Sequence, residues 1–209
     1  MSLVTIDMTG IAQLRSYFDA APEAATNAVR DAINDGIKFA FAEASRRIRA
    51  QVNLPQDYIG SVAQGNRLKV SMYATAEQLW ASLSATKRAV SLARYANDRS
   101  LGRRPDGITV TVKPGHPETL PGAFLLPLKK GPALTEDTYN VGLAIRLKPG
   151  QRPGSKHTMK PYGRGDPNLY LLYGPSVDQV FRQVRGDMDD VVTNFVTQSF
   201  YRQFRRHSA

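Results

Sequence analysis

Apolar residues recur every three or four positions near both ends of the chain, and every second position between those ends. A spacing of three or four places side chains on one face of an α-helix, whereas a spacing of two places them on one face of a β-strand. The sequence therefore predicts two long amphipathic helices, over residues 22–50 and 176–205, on either side of a set of strands. That order of elements is typical of the α+β class.

The N-terminal helix is indicated by an apolar stripe that lies opposite a charged face. Pro22 suits its first turn, and Gly36 is a weak point inside it because glycine has a low helix propensity. A shorter helical segment, capped by Thr9, precedes it and carries Ile11, Leu14 and Phe18. The stripe of the long helix consists of Val29, Ile33, Ile37, Phe41, Ala44 and Ile48.

A sharp corner at Gly174, Pro175 and Ser176 comes before the C-terminal helix. Ser176 and Gln179 form a capping-box pattern, in which the hydroxyl accepts from a free amide of the first turn and the Gln side chain reaches back. A positive φ at Gly174 would make this corner intolerant of larger residues. The apolar stripe that follows comprises Val177, Val180, Phe181, Val184, Met188, Val191, Val192 and Phe195, and the helix ends in a cluster of Arg202, Arg205 and Arg206.

Six short runs between the helices are predicted to be strands. Turns rich in Gly, Pro and Asn separate them, so we expect a mainly antiparallel sheet of five or six strands with the long helices packed on it. The whole chain, 1–209, is interpreted as a single α+β domain in which segment 1–21 and a basic loop, 148–168, are candidate extended arms. The runs are Leu68–Met72, Leu79–Ser84, Ile108–Pro114, Ala123–Lys129, Val141–Leu147 and Leu169–Tyr173.

The charge balance is strongly basic, with a formal net charge of +10 and a pI near 10.0. Such a chain suits a polyanionic neighbour, which could be nucleic acid, an acidic protein surface or anionic lipid, and it equally suits a basic domain kept in solution by its charge. No apolar run approaches the roughly 20 residues that span a bilayer, so no membrane partner is predicted. The absence of cysteine excludes disulfides and thiolate chemistry, and it fits folding in a reducing cytoplasm.

No catalytic, metal-binding or cofactor-binding set is found in the sequence. His116, His157 and His207 are far apart and have no metal-ligand spacing. The paired carboxylates at 136–137 and 189–190 lack the apolar setting that would make one of them a general acid. We therefore predict that the protein is not an enzyme and uses no cofactor.

Four segments resemble the phage minor tail protein Z family, whose members are tail-completion proteins of tailed phages. They are LPGAFLLPLKKG (120–131), NVGLAIRLKPG (140–150), LYLLYGPSVDQVF (169–181) and SLARY (91–95). Their order along the chain, more than any one of them, carries the resemblance, which extends from about residue 22 to the C-terminus.

The resemblance implies a structural virion protein, made in the host cytoplasm and located at the head-proximal end of the tail. Such a protein takes part in tail assembly and head–tail joining, as a homo-oligomeric ring around the DNA channel, for which six copies would match the symmetry of a tail tube. Its implied partners are the tail terminator, tail tube and neck or connector proteins, together with DNA that passes without sequence recognition.

The basic loop and the C-terminal arginines are the candidate contact residues. Arg152, Lys156, Lys160 and Arg164 stand among Gly and Pro with no apolar period, so we expect them outside the core. Either the loop orders against a neighbouring subunit, or it touches DNA phosphates. The first is favoured because a dense ring of cations would hold the DNA that a tail must release. The alternative function is a nucleic-acid-binding protein that acts through this loop and the Arg cluster.

Overall fold

Two compact units make up the chain, where the sequence predicts one domain. Unit 1 comprises Met1–Arg49, Pro55–Lys87 and Val177–Ala209, and unit 2 comprises Ala50–Leu54 and Arg88–Ser176. A computed structural model describes residues 2–6, 14–61, 66–98, 100–103, 105–128, 141–151, 154, 158–162 and 166–209.

The helices belong to unit 1, and the predicted N-terminal helix is confirmed as a continuous helix of 30 residues. The predicted C-terminal helix is instead divided by a 3-10 turn, Gly186–Met188. Glycine favours such a break because it has no side chain to pack and a low helix propensity. Thr9 and Ile11 lie outside the described residues. The helices are α1 (Leu14–Ala20), α2 (Pro22–Gln51), α3 (Gln56–Gly60), α4 (Val177–Val184) and α5 (Asp189–His207).

A three-stranded antiparallel sheet completes unit 1. Its strands are β1 (Ser2–Ile6), β2 (Leu68–Met72) and β3 (Ala81–Ala85), in the order β1-β3-β2. The described parts of segment 1–21 are therefore a paired strand and a helix, where the sequence suggested an arm. Ile6 and Leu14 are buried, so apolar burial holds both elements in the unit.

Close packing between α2 and α5 depends on small residues of α2. A Cβ on Gly36 would collide with Cγ2 of Val196, so this glycine is a contact point where the sequence indicated a weak one. Beside it, the rings of Phe39 and Phe195 stack with centroids 4.2 Å apart. Helix α2 also has five fully buried alanines, which are further small residues of this helix: Ala25, Ala28, Ala32, Ala40 and Ala44.

The apolar stripe of the C-terminal helices is largely as predicted, and it differs at Val191, at Phe200 and at Val196, which is buried although the predicted stripe omits it. Val191 is 41% exposed, because the turn at 186–188 interrupts the helical register on which the prediction relied. Phe200, which the predicted stripe omits, is only 2% exposed and is among the largest fully buried side chains of the unit. It makes an edge-to-face contact with Tyr17 of α1, with centroids 5.4 Å apart.

Unit 2 is built from short antiparallel strands. Six of them form a sheet with the order β10-β11-β9-β8-β5, in which β4 also pairs with β11, and β6 and β7 form a separate hairpin. The predicted α+β class and antiparallel pairing are confirmed, and the strands of the described residues are shared among three sheets. The strands of unit 2 are β4 (Val90–Ser91), β5 (Gly102–Arg103), β6 (Ile108–Lys113), β7 (His116–Leu120), β8 (Ala123–Pro127), β9 (Val141–Arg146), β10 (Thr158–Pro161) and β11 (Leu169–Gly174).

The core of unit 2 lies between its sheet and the 3-10 helix Leu92–Tyr95. Leu92, Leu125 and Leu143 are almost completely buried there. Gly107, at the start of β6, has φ +83° and no room for a Cβ, which would meet the backbone of Leu120. Only glycine fits both requirements, so this position sets the start of the β6–β7 hairpin.

Candidate assembly interface

The basic loop is partly a strand. Lys160 lies on β10, which is an edge strand of the six-stranded sheet and pairs with β11. Its side chain is exposed, as predicted, and its Nζ lies 5.3 Å from the ring centroid of Tyr173, within the range of a cation–π contact. Sequence reasoning missed this strand because its four residues, TMKP, have no apolar alternation. The other three cations of the loop, Arg152, Lys156 and Arg164, lie outside the described residues.

An ion pair fastens the ends of the basic segment. Nη2 of Arg146 lies 2.8 Å from Oδ2 of Asp166, and Oδ1 of Asp166 accepts a hydrogen bond from the amide of Asn168 at 3.0 Å. Arg146 therefore stabilises the loop boundary, whereas Lys148, two residues further on, is exposed. The carboxylate of Asp166, the last residue of an Arg-Gly-Asp tripeptide, is therefore engaged in contacts within the protein.

The three arginines of the C-terminal cluster differ in their surroundings. Nη2 of Arg202 donates to Ser199 Oγ at 2.9 Å and lies 3.4 Å from Asp35 Oδ2, so its charge is already paired within unit 1. Nε of Arg205 donates to the carbonyl of Tyr201 at 3.3 Å. Arg206 is exposed. Arg205 and Arg206 remain candidates for contact with a partner, and Arg202 acts first as a link between α2 and α5.

Asp35 is the centre of a polar cluster between α2 and α5. Its Oδ2 accepts hydrogen bonds from Ser199 Oγ and Gln203 Nε2, both at 2.9 Å. Burial alone would raise the pKa of Asp35, but the hydrogen bonds from Gln203, Ser199 and Arg202 outweigh it and lower the pKa. The carboxylate is thus held in its charged form.

Asp31, one helical turn earlier, repeats this arrangement. Its Oδ2 lies 2.9 Å from Nε2 of His207, and its Oδ1 accepts from Nε of Arg30 at 2.8 Å. Burial works to raise its pKa, and the hydrogen bonds from Arg30 and His207 lower it by more. The carboxylates of Asp31 and Asp35 therefore bind side chains near the end of α5. The bonded residues are more than 160 positions apart, so no local sequence pattern predicts these contacts.

The corner at Gly174 has a steric cause. Gly174 has an ordinary strand φ, so a positive φ is not what requires glycine there. A Cβ at this position would lie 3.1 Å from Leu92 Cδ2 and 3.2 Å from Tyr95 Cε2, which is too close for a branched side chain. Pro175 follows the strand, and Ser176 is buried immediately before the first residue of α4.

The positive charge is unequally divided between the two units. Unit 2 contains fourteen Lys and Arg against six Asp and Glu, a net charge of +8, whereas unit 1 contains fourteen against twelve, a net charge of +2. The basic character of the chain is therefore mainly a property of unit 2, and long-range attraction of a nucleic acid would be greatest there.

Neither a metal centre nor a membrane helix is present in the described part of the chain. No three His, Asp or Glu side chains come together as a potential metal site there, and His116 and His207 lie in different units. None of the described helices is both long and apolar enough to cross a membrane. In unit 2 a groove of about 350 Å³ is lined by Asp98 and Asp106, but Oδ1 of Asp98 is already occupied by Ser100.

Comparisons of this chain with protein-family models, with curated proteins and with solved structures find no match.

Proposed function

We propose that the protein is a structural component of a tailed phage virion, a tail-completion protein at the head-proximal end of the tail. It would form a homo-oligomeric ring around the DNA channel and contact the tail terminator, tail tube and neck proteins. Its role is mechanical, since it would finish the tail and join it to the head without catalysing a reaction.

The placement of the family-like segments supports this proposal. The segments 120–131, 140–150 and 169–181 contain β8, β9 and β11, and these three strands are neighbours in one sheet, in the order β11-β9-β8. The fourth segment, 91–95, contains the 3-10 helix that packs beside β9 and β11. Four stretches that are scattered along the sequence therefore form one contiguous structural block, as expected if they were retained together.

The charge distribution supports the placement near DNA. A net charge of +8 on unit 2 attracts phosphates at any sequence, which is compatible with a position beside a DNA passage. The described cations of that unit include exposed side chains from different elements: Arg103, Lys113, Lys148 and Lys160.

Deletion of the gene from the phage or prophage that carries it tests the proposal. We expect filled heads and separate tails, with few joined particles in negative-stain electron micrographs, and restoration of infectious particles by the gene supplied in trans. Mass spectrometry of purified wild-type virions should detect the protein. Normal virions from the deletion strain, or virions that lack the protein, would rule out the proposal.

The alternative, a nucleic-acid-binding protein in its own right, is also favoured by the charge of unit 2. It predicts binding to duplex DNA or RNA that persists at physiological salt and depends on the basic loop and on Arg205 and Arg206. In the described part of the sheet of unit 2, Lys160 lies over the ring of Tyr173, which is half-buried, so this ring is not free to stack on a base. We therefore keep virion assembly as the main proposal.

A further inference from the structure

A groove in unit 1 lies beside the edge strand β2. It has a volume of about 280 Å³, and residues from α2, α3 and β2 line it. Phe41 of α2 and Val70 of β2 give it an apolar part, and Tyr73, which is 50% exposed, stands at its end. The groove is part of neither the basic loop nor the C-terminal cluster.

The groove is held open by a glycine of α3. A Cβ on Gly60 would lie 2.6 Å from Cζ of Phe41, so only glycine allows the Phe41 ring to sit at this depth. At the other end, Asn66 has a φ of +48°, and its amide donates to the carbonyl of Ser61 at 2.9 Å. This turn directs the chain into β2 along the groove.

Strand β2 offers main-chain hydrogen-bonding groups to the groove. In the sheet order β1-β3-β2 its inner edge pairs with β3, and no strand among the described residues pairs with its outer edge. Leu68–Val70 is the regular part of the strand, since a bulge follows Val70. An open edge of this kind pairs readily with an extended segment of another chain.

The charges at the groove are all of one sign. Lys38 from α2 and Lys69 from β2 line it, both are exposed, and no Asp or Glu lines it. Arg67, the next residue after Asn66, is not among the residues that line the groove, and its guanidinium lies 5.5 Å from the centre of the buried Tyr58 ring. Its Nε is buried without a hydrogen-bond partner within the described residues. The surroundings therefore favour an anionic occupant.

We propose that this groove captures an extended acidic peptide segment of a partner protein by adding it to the outer edge of β2. The main chain of the segment would pair with Leu68–Val70, its carboxylates would meet Lys38 and Lys69, and an apolar side chain would lie over Phe41. A peptide suits the site better than a nucleic acid, because only a peptide backbone can satisfy the free amides and carbonyls of a strand edge. Such capture does not depend on a role in tails, so either proposal can fail alone.

Fluorescence anisotropy with a labelled nine-residue peptide of alternating Glu and Val tests the site on the full-length protein. We expect saturable binding that weakens at least five-fold in the double variant Lys38→Ser/Lys69→Ser. The matched control is Lys113→Ser/Lys148→Ser, which removes two exposed lysines of unit 2 and should change the affinity less than two-fold. Circular dichroism of both variants checks that they are folded.

Changes in the probe separate strand pairing from simple charge attraction. A peptide with Pro in place of every Val keeps the charge but loses half of its amide donors, so we expect it not to bind. The proposal is overturned if the Pro peptide binds as well as the Val peptide, if the alternating peptide does not bind, or if the Lys38/Lys69 variant binds it normally. Tighter binding of a twelve-nucleotide oligothymidine at the same lysines would assign the groove to nucleic acid instead.

Discussion

The two units differ in the balance and pairing of their charged side chains. In unit 1 the acidic and basic side chains are nearly equal in number, and many described ones are paired with each other, as Asp35 is with Arg202 and Asp31 with His207. In unit 2 basic residues outnumber acidic ones by eight, and exposed cations such as Lys113 and Lys148 are spread over it. Many charges in unit 1 therefore stabilise its own fold, with Lys38 and Lys69 as exposed exceptions, whereas the excess of cations in unit 2 is available to a partner.

The two units also differ in how they bury apolar surface. Unit 1 packs long helices through small residues and large aromatics, so single positions such as Gly36 and Phe200 carry much of its stability. In unit 2 the strands are short, and β6, β8, β9 and β11 each bury two or three residues. Substitutions in the core should therefore affect folding most in unit 1, whereas substitutions of exposed cations should affect nucleic-acid binding most in unit 2.

The largest effect is expected from Phe200→Ala. Phe200 is 2% exposed and contacts the rings of Tyr17, Tyr201 and Phe204, so its loss leaves a cavity and should lower the free energy of unfolding by about 3–5 kcal/mol. Urea denaturation followed by the fluorescence of Trp80, the one tryptophan, reports on unit 1 directly. Val191→Ala, at a 41% exposed position of the same helix, should cost less than about 0.5 kcal/mol. Equal costs for the two variants would contradict the packing of α5.

Gly36→Val tests the close approach of α2 and α5. The added side chain would collide with Val196, and we expect a loss of about 2–3 kcal/mol as the helices separate. Gly186→Ala is the control, because a Cβ there meets nothing within 4 Å, and its stability should stay within about 0.5 kcal/mol of the wild type. If Gly36→Val were as stable as Gly186→Ala in the same urea titration, the helix contact would be misplaced.

Gly174→Val and Ser176→Ala probe the corner that ends unit 2. The Val side chain would press on Leu92 and Tyr95, so we expect a cost of about 1–3 kcal/mol from overpacking. Ser176→Ala should cost about 1 kcal/mol, because the sequence predicts Ser176, which immediately precedes α4, to be its N-cap residue. Thermal melts followed by circular dichroism compare the two, and negligible effects from both would mean that the corner is tolerant and the helix start has another cause.

The individual helices and strands that depend on local sequence patterns could be predicted from the sequence. Helix α2 shows a helical period and strands such as β2 and β6 alternate, and the predicted strands β2, β3, β6, β8, β9 and β11 are all present. Strands β7 (HPETL) and β10 (TMKP) are too polar and too short to show one. The division of the strands among three sheets depends on contacts between distant segments, such as β1 with β3, and a single sequence does not contain that information.

In the candidate site, too, local features could be predicted from the sequence and contacts between distant residues could not. The exposed position of Lys160 could be predicted, since a cation among Gly and Pro has no apolar neighbours to cover it. The pairing of Arg202 with Asp35 could not, because the two residues are 167 positions apart. The groove beside β2 joins residues of three elements, and only the folded chain shows that Lys38 and Lys69 line the same surface.

A smaller effect is expected from acid, and Asp35 of unit 1 should show it. Burial opposes ionisation of Asp35, yet hydrogen bonds from Gln203, Ser199 and Arg202 lower its pKa below the ordinary 3.8. A lowered pKa in the folded state stabilises the fold above that ordinary value, and the contribution is lost as the pH falls through the lower folded value.

Asp35→Asn should therefore be less stable than the wild type at pH 6 by about 1–2 kcal/mol, since it loses charged hydrogen bonds, and the difference should shrink as the pH falls below about 4. Melting temperatures measured from pH 6 to pH 2.5 test this. Asp187→Asn, whose side chain is 74% exposed and 3.9 Å from Arg47, should show almost no pH-dependent difference. A constant deficit of Asp35→Asn at every pH would show that packing, and not charge, is what the substitution removes.

The smallest effect on stability should come from the cations of unit 2, and this prediction bears most directly on function. Changing Arg152, Lys156, Lys160 and Arg164 to Ser removes half of the net charge of unit 2. The sequence predicts these residues to lie outside the core, and substitutions outside the core shift the free energy of unfolding by less than about 0.5 kcal/mol each. We expect the variant to stay folded and to be defective in tail completion or head joining. Weak binding of the wild type to nonspecific duplex DNA should be seen only at low salt, because it depends on counterion release, and the variant should lose it.

The control variant lacks four exposed cations of unit 1, Arg15, Arg49, Lys87 and Arg185, and should retain more of that DNA binding than the loop variant. Equal losses would show that total charge matters and its location does not. Tight, salt-resistant binding of the wild-type protein that disappears in the loop variant would make nucleic-acid binding the better description of the protein.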